Sequence, residues 1–150
     1  SAQASFFFRA PPDPSRPKSP RKEEAETEDP TFVASIHTDG DQTHRYAEAS
    51  GDRNPIHTDD STARMMGFDG IIVHGLCTMA LAQKAVIDGG LGGSPERLRR
   101  LRVQFAKPVY PEQSLQLSAK MTSPGNLTFV VRSEGGQPVL RDGLAEFEPV

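Results

Sequence analysis

His74-Gly75-Leu76-Cys77-Thr78-Met79-Ala80-Leu81-Ala82-Gln83-Lys84-Ala85-Val86-Ile87-Asp88 is the stretch that decides the fold. Its apolar residues Leu76, Cys77, Met79, Ala80, Leu81, Ala82, Ala85 and Val86 fall on every side of a helical period. The spacing predicts a helix over 74–88 that ends at Gly89-Gly90. Such a helix has almost no polar face. A helix that is apolar all round is buried all round, so the rest of the chain must cover it.

The cover is legible downstream. Past the Gly/Ser/Pro break at 89–95, alternation at period two begins. Leu101, Val103 and Phe105 alternate with Arg100, Arg102 and Gln104, and Leu115, Leu117, Ala119 and Met121 with Gln116, Ser118 and Lys120. Leu127, Phe129 and Val131 follow Pro124-Gly125-Asn126, and a last run from Val139 to Phe147 follows Gly135-Gly136. Alternating runs joined by turn residues predict an antiparallel meander. Upstream, Thr31 to Thr38 reads as another strand, with Phe32, Ala34 and Ile36 on one face. The fold class is therefore α+β. An antiparallel sheet wraps one long buried helix, the arrangement called a hot dog.

Between the first strand and the long helix lies Tyr46-Ala47-Glu48-Ala49-Ser50-Gly51-Asp52-Arg53-Asn54-Pro55-Ile56-His57. The run 41–50 reads as a short helix, with Asp39 or Asp41 placed to cap its first turn. Gly51 is a helix terminator, and Pro55 forbids a continuing helix and pushes Asn54 toward an extended conformation. Asp52, Asn54 and His57 thus share a stiff irregular turn, the kind of place where functional side chains are held. A carboxylate and an imidazole this close can share one small polar molecule such as water, because imidazole titrates near neutrality. Taken alone, such a pair reads first as a helix cap and a packed histidine, and it is the flanking sequence that reverses this. Thr58, Asp59 or Asp60 caps a second short helix through Met66, stopped by Gly67.

Composition narrows the function classes. The chain has 150 residues, with 17 Lys+Arg against 20 Asp+Glu and a formal net charge of −3. That length makes one domain with a real core, and the charge balance does not point to nucleic acid as partner. One cysteine rules out an intramolecular disulfide and fits a reducing compartment. No apolar run reaches the ~20 residues of a membrane helix. These features predict a soluble intracellular protein, cytoplasmic and without a membrane partner. Residues 11–30 carry Pro11, Pro12, Pro14, Pro17, Pro20 and Pro30 among many charges, which is linker composition. The domain reading is a flexible linker over 1–30 and one domain over 31–150.

Ser50-Gly51-Asp52-Arg53-Asn54-Pro55-Ile56-His57, Gly67-Phe68-Asp69 and Ile72-Val73-His74-Gly75-Leu76-Cys77-Thr78 together resemble the signature of MaoC-type dehydratases. The likeness is to the type-2, (R)-specific enoyl-CoA hydratases, including the hydratase part of the peroxisomal multifunctional enzyme and its bacterial relatives. Phe105-Ala106-Lys107-Pro108-Val109-Tyr110-Pro111 is similar to a strand-and-turn segment of that group. The resemblance runs from about Thr31 to Val150, and its motifs are long, ordered and separated. It implies reversible hydration of trans-2-enoyl-CoA to (R)-3-hydroxyacyl-CoA, with Asp52 and His57 as the catalytic pair. It also implies Gly75 as a backbone N–H contact to the thioester oxygen. Asn54 is assigned to the substrate site, where it fixes the loop and orients one partner; a plain turn residue is nearly as good a reading. No cofactor is implied beyond the coenzyme A thioester that is the substrate, and no metal: nothing in the spacing of Asp52, His57, Asp59 and His74 matches a zinc or calcium pattern.

Relatives of this kind are commonly tandem, with a degenerate first hot-dog unit joined to a catalytic second one. Ser1 to Ala10, with Phe6-Phe7-Phe8, reads either as the last strand of such an upstream unit or as a tail. The resemblance implies pairing with a second hot-dog unit, and a homodimer is the favoured form. Competing functions are a hot-dog acyl-CoA thioesterase and a non-catalytic hot-dog subunit that shapes the pocket of an active one. His74 is expected to be structural, at the strand–helix junction, and Cys77 to be core. Met65 and Met66 are expected to pack. Arg97, Arg99, Arg100 and Arg102 read as a solvated strand face rather than as a contact to coenzyme A phosphates.

Overall fold

The structure is a computed structural model and describes residues 29–149. The readings made on residues 1–28, the linker and the remnant strand, lie outside the described residues. Ten elements follow one another: strand β1 (Phe32–His37), helix α1 (Gln42–Ser50), a 3₁₀ turn (Pro55–His57), helix α2 (Asp60–Met65), helix α3 (Gly75–Gly90), a second 3₁₀ turn (Pro95–Arg97), and strands β2 (Leu98–Phe105), β3 (Ser114–Ser123), β4 (Asn126–Ser133) and β5 (Pro138–Phe147). All five strands join one antiparallel sheet in the order β1-β3-β4-β5-β2. The sheet curls around α3, and the fold is a hot dog.

The core follows the alternation. From α3 come Cys77, Ala82, Val86 and Ile87, with Leu91 just beyond; from the sheet come Leu115, Leu117, Ala119, Leu127, Phe129, Val131, Val139, Leu140, Ala145 and Phe147, all buried. Each large aliphatic side chain taken from water contributes about 1.5–3 kcal/mol before entropy is counted, so this seam is what holds sheet to helix.

Four expectations need correction. The strands after α3 do not form one consecutive meander. Strands β3, β4 and β5 do, but β2 pairs with β5 at the far edge of the sheet. The connection over 106–113 carries Pro108 and Pro111 and is too long for a hairpin. It passes over the end of the sheet instead, where the Val109 carbonyl accepts from Val73 N–H at 2.7 Å.

The second correction concerns the end of α3. The helix runs through Gly89 and Gly90 and is capped at Leu91. The two glycines make room rather than a break. A Cβ on Gly89 would lie 2.5 Å from the Phe32 ring of β1, and one on Gly90 would lie 2.9 Å from Leu127. The chain turns at Gly92 and Gly93, both at positive φ.

Third, α3 is not buried all round within this chain. Its first turns leave Leu76 52% exposed, and Ala80 is open to solvent as well. On the sheet side of Gly75, Phe105 is 51% exposed. The sheet covers one side of the helix, and the face beginning at Leu76 stays open. Fourth, Met65 and Met66, expected to pack, are exposed too.

Candidate active site

The loop after α1 is built from short local bonds. Gly51 ends the helix in the left-handed region, at φ 78°, and its N–H donates to the Ala47 carbonyl at 3.0 Å. Few residues but glycine adopt that conformation without strain. From there each polar side chain accepts from the backbone two residues on. Asp52 N–H donates to Ser50 Oγ at 3.2 Å, Asn54 N–H to Asp52 Oδ1 at 3.2 Å, and Ile56 N–H to Asn54 Oδ1 at 3.3 Å. The sequence Ser-x-Asp-x-Asn-x thus folds itself, since such side chains compete well with regular backbone pairing. Asn54 acts here as the cap of the 3₁₀ turn that carries His57. On the other side, Asp59 caps α2 by accepting from Thr62 N–H at 2.7 Å. Asp41, at the start of α1, makes no side-chain cap bond and pairs with Arg45.

His57 is buried, and its Nδ1–H donates to the Ile72 carbonyl at 2.7 Å. Ile72 N–H returns a bond to the Ile56 carbonyl at 3.1 Å. The turn is therefore strapped to the segment leading into α3. A carbonyl oxygen can only accept, so Nδ1 holds the hydrogen and Nε2 is the bare, basic nitrogen. Burial pushes the imidazole below its ordinary value of 6.5. The Ile72 bond opposes this, the adjacent His74 adds to it, and Asp52 opposes it. His57 is thus held neutral at physiological pH.

Asp52 is exposed, while His57 and His74 are buried, and one potential ligand atom of each lies within 4.8 Å of the others. Among the described residues this trio is the group of histidines and acids that could hold a metal ion. His74 Nε2 already donates to the Asp52 main-chain carbonyl at 2.9 Å, and His57 Nδ1 is taken by Ile72. Each ring thus donates one N–H to a carbonyl and keeps one bare nitrogen, an arrangement open both to proton transfer and to metal ligation.

The His57 and His74 rings stack at 3.8 Å, and His74 directly precedes α3. That contact brings the start of α3, and with it Gly75, beside the acid–imidazole pair. The first N–H groups of a helix have no partner within it and lie at the positive end of its dipole. Gly75 is exposed, and a Cβ there would come 3.2 Å from the Phe105 ring. The missing side chain thus serves close packing and leaves the helix N-terminus approachable.

His74 stands where the loop after α2 enters α3, not at the expected junction of a strand with the helix, and its side chain makes no cap bond there. It reaches instead to the loop carrying Asp52, and residue spacing gives no sign of this. Cys77 is buried, as expected, and accepts from Gln42 Nε2 at 3.5 Å; burial raises its thiol pKa. Arg99 and Arg100 pair with Glu148 and Glu146 across the sheet edge, and Arg97 donates to the Glu148 and Leu91 carbonyls. These bonds match the reading of that run as a strand face. A cavity of about 440 Å³ lies at the opposite end of α3, lined by Gly90, Arg97, Met121 and Phe147. It holds none of the acid–imidazole residues, so the chemistry points to the surface at Asp52 rather than to this cavity.

A family model described as a MaoC like domain matches residues 21–137. A probable enoyl-CoA hydratase 2 of Dictyostelium discoideum is 32% identical over 122 residues, covering 81% of this chain and 42% of that protein. The peroxisomal multifunctional enzyme type 2 of Mus musculus is 42% identical over 102 residues, covering 67% of this chain and 14% of that one. Among solved structures, a MaoC-like dehydratase from Phytophthora capsici has a TM-score of 0.79 at 27% identity, over 89% of this chain and 47% of that chain. The chain spans less than half the length of each of these relatives.

Proposed function

The chain belongs to the MaoC-like domain family, and from that premise we propose that it hydrates trans-2-enoyl-CoA reversibly to (R)-3-hydroxyacyl-CoA. One observation carries the reading. A neutral imidazole with a bare Nε2, the exposed Asp52 side chain and His74 at the N-cap of α3 lie together. Hydration asks for a base, an acid and a donor to the thioester oxygen. The thioester oxygen must be polarised so that C3 is electrophilic, a task we assign to the Gly75 N–H. His57 Nε2 takes a proton from water as the oxygen bonds to C3. Asp52, in its carboxylic acid form, gives a proton to C2, and solvent carries the proton from His57 back to Asp52 before the next turnover. Overall, one water adds across one double bond. No electrons are exchanged with any other reagent, so no redox cofactor is required. Asn54 holds the turn in which both groups stand.

The open face at Leu76 and Phe105, the outer edge of β2, unpaired among the described residues, and the exposure of Asp52 describe half of an enclosed site. We propose that a second hot-dog unit closes it, a second copy of this chain being the favoured partner. Peroxisomal enzymes stand among the relatives by name, and no helix among the described residues is long and apolar enough to cross a membrane. A peroxisomal site of action is the compartment we favour for a eukaryotic source, and the cytoplasm otherwise.

Incubation with crotonyl-CoA tests the function. Loss of the enoyl absorbance without release of thiol is expected. Release of free coenzyme A without hydration would instead establish the thioesterase reading. Activity over enoyl chain lengths then defines the acyl specificity.

A further inference from the structure

His74 is a buried titratable side chain to which the proposed reaction gives no task. It is 1% exposed. It occupies the N-cap of α3, where its carbonyl accepts from Thr78 N–H at 3.0 Å, but its side chain does not cap. Nε2 donates to the Asp52 carbonyl at 2.9 Å. The ring lies against His57 at 3.8 Å with 24° between the planes, and Tyr46 packs on it at 4.7 Å. Because Nε2 carries the hydrogen for the carbonyl, Nδ1 is bare, and it is buried without a hydrogen-bond partner among the described residues. A buried acceptor left unpaired costs stability, which an apolar residue of similar shape would avoid. The site therefore keeps a histidine at a cost to the fold, and the Nε2 bond is what it gains.

That bond matters because Asp52 itself is otherwise tied only to its loop neighbours, whereas the strap from His57 and Ile56 to Ile72 holds the far end of the turn. The other bonds at Asp52, from its N–H to Ser50 and from Asn54 to its Oδ1, stay within the loop. His74 links Asp52 to the start of α3, the element that also presents Gly75. Resting on the assignment of Asp52 and His57 as the acid–base pair, we propose that His74 is a positioning residue: it joins the Asp52 main chain, the His57 ring and the α3 N-terminus into one unit and sets the gap in which water is held. It does not touch substrate. It acts through the two residues that do.

Two substitutions separate its bond from its bulk. His74→Phe keeps a ring to stack on His57 and removes the donor. His74→Gln keeps an amide N–H near the place of Nε2 and removes the ring. Thermal melting, kcat and KM on crotonyl-CoA, and the ¹⁵N resonances of His57 are recorded for the full chain and both variants. Displacing a reacting group by about 1 Å can cost on the order of 10²-fold, so His74→Phe is expected to lose about that in kcat with little change in KM. His74→Gln is expected to regain at least about a tenth of wild-type kcat, since the donor is restored. A soluble His74→Phe with wild-type kcat overturns the proposal. So does a His74→Gln that folds yet is no better than His74→Phe. If His74→Phe does not fold, His74→Gln decides alone: kcat far below that tenth in a folded protein overturns the proposal. An inactive wild type would defeat the hydratase reading instead. The His57 resonances then decide the positioning role: ¹⁵N shifts and tautomer in the folded variants that are unchanged from wild type overturn it.

Discussion

At the scale of single residues, the chemistry turns on which nitrogen of His57 is free. The Ile72 carbonyl fixes the hydrogen on Nδ1, and burial keeps the ring neutral. The sign of the pH dependence follows. The folded-state pKa lies below the ordinary 6.5, so between those two values the unfolded chain binds more protons than the folded one. The stability contributed by neutral His57 is full above 6.5 and is lost as pH falls through the folded pKa. In the proposed mechanism the same ionisation disables the base. In the acid limb of kcat/KM, the midpoint that reports His57 should therefore lie below pH 6.5. A pH–rate profile on crotonyl-CoA checks this, and a midpoint above 6.5 would show that another group titrates. Asp52 and His57 were legible in the sequence because Gly51 and Pro55 punctuate the turn that holds them. Asn54 was legible only as one of two readings, and its bond to Ile56 N–H shows the turn-capping one in place. The bond from His74 to Asp52 was not legible. It joins residues 22 positions apart through a ring and a carbonyl, and no periodicity encodes such a contact.

At the scale of elements, α3 shows where local propensity gives way to packing. Gly89-Gly90 reads in sequence as a stop, yet both residues are helical, because Phe32 and Leu127 occupy the space a side chain would need. Gly89→Ala is a sharp test, since the two effects have opposite signs. Helix propensity alone favours alanine by up to about 1 kcal/mol. Crowding against the Phe32 ring, 2.5 Å from the new Cβ, should instead destabilise by roughly 1–3 kcal/mol. Urea denaturation reads the sign, and a more stable Gly89→Ala would contradict this role for the glycine. The strands themselves were legible from alternation. Their order was not, because period-two patterning tells which face is buried and not which neighbour pairs. Strand β2 shows the difference: its pattern matches that of β3, but its partner is β5.

At the scale of the whole molecule, the helix that reads as apolar on every side is covered on one side only. The sequence thus carried a surface demand that one hot-dog unit does not meet: Leu76 and Phe105 remain half exposed beside Gly75. Pairing with a second copy is expected to meet it, so light scattering at micromolar concentration should give twice the 16.3 kDa of one chain. A fully active monomer would contradict the pairing. That Asp52 and His57 add water to an enoyl thioester is tested most directly by the turnover of crotonyl-CoA. Wild type, Asp52→Asn and His57→Ala are compared side by side, with the configuration of the product determined. Wild type should give (R)-3-hydroxybutyryl-CoA, and each folded variant should lose about 10²–10⁴-fold in kcat. Near wild-type turnover by either variant, or no hydration by any of the three, would contradict the assignment.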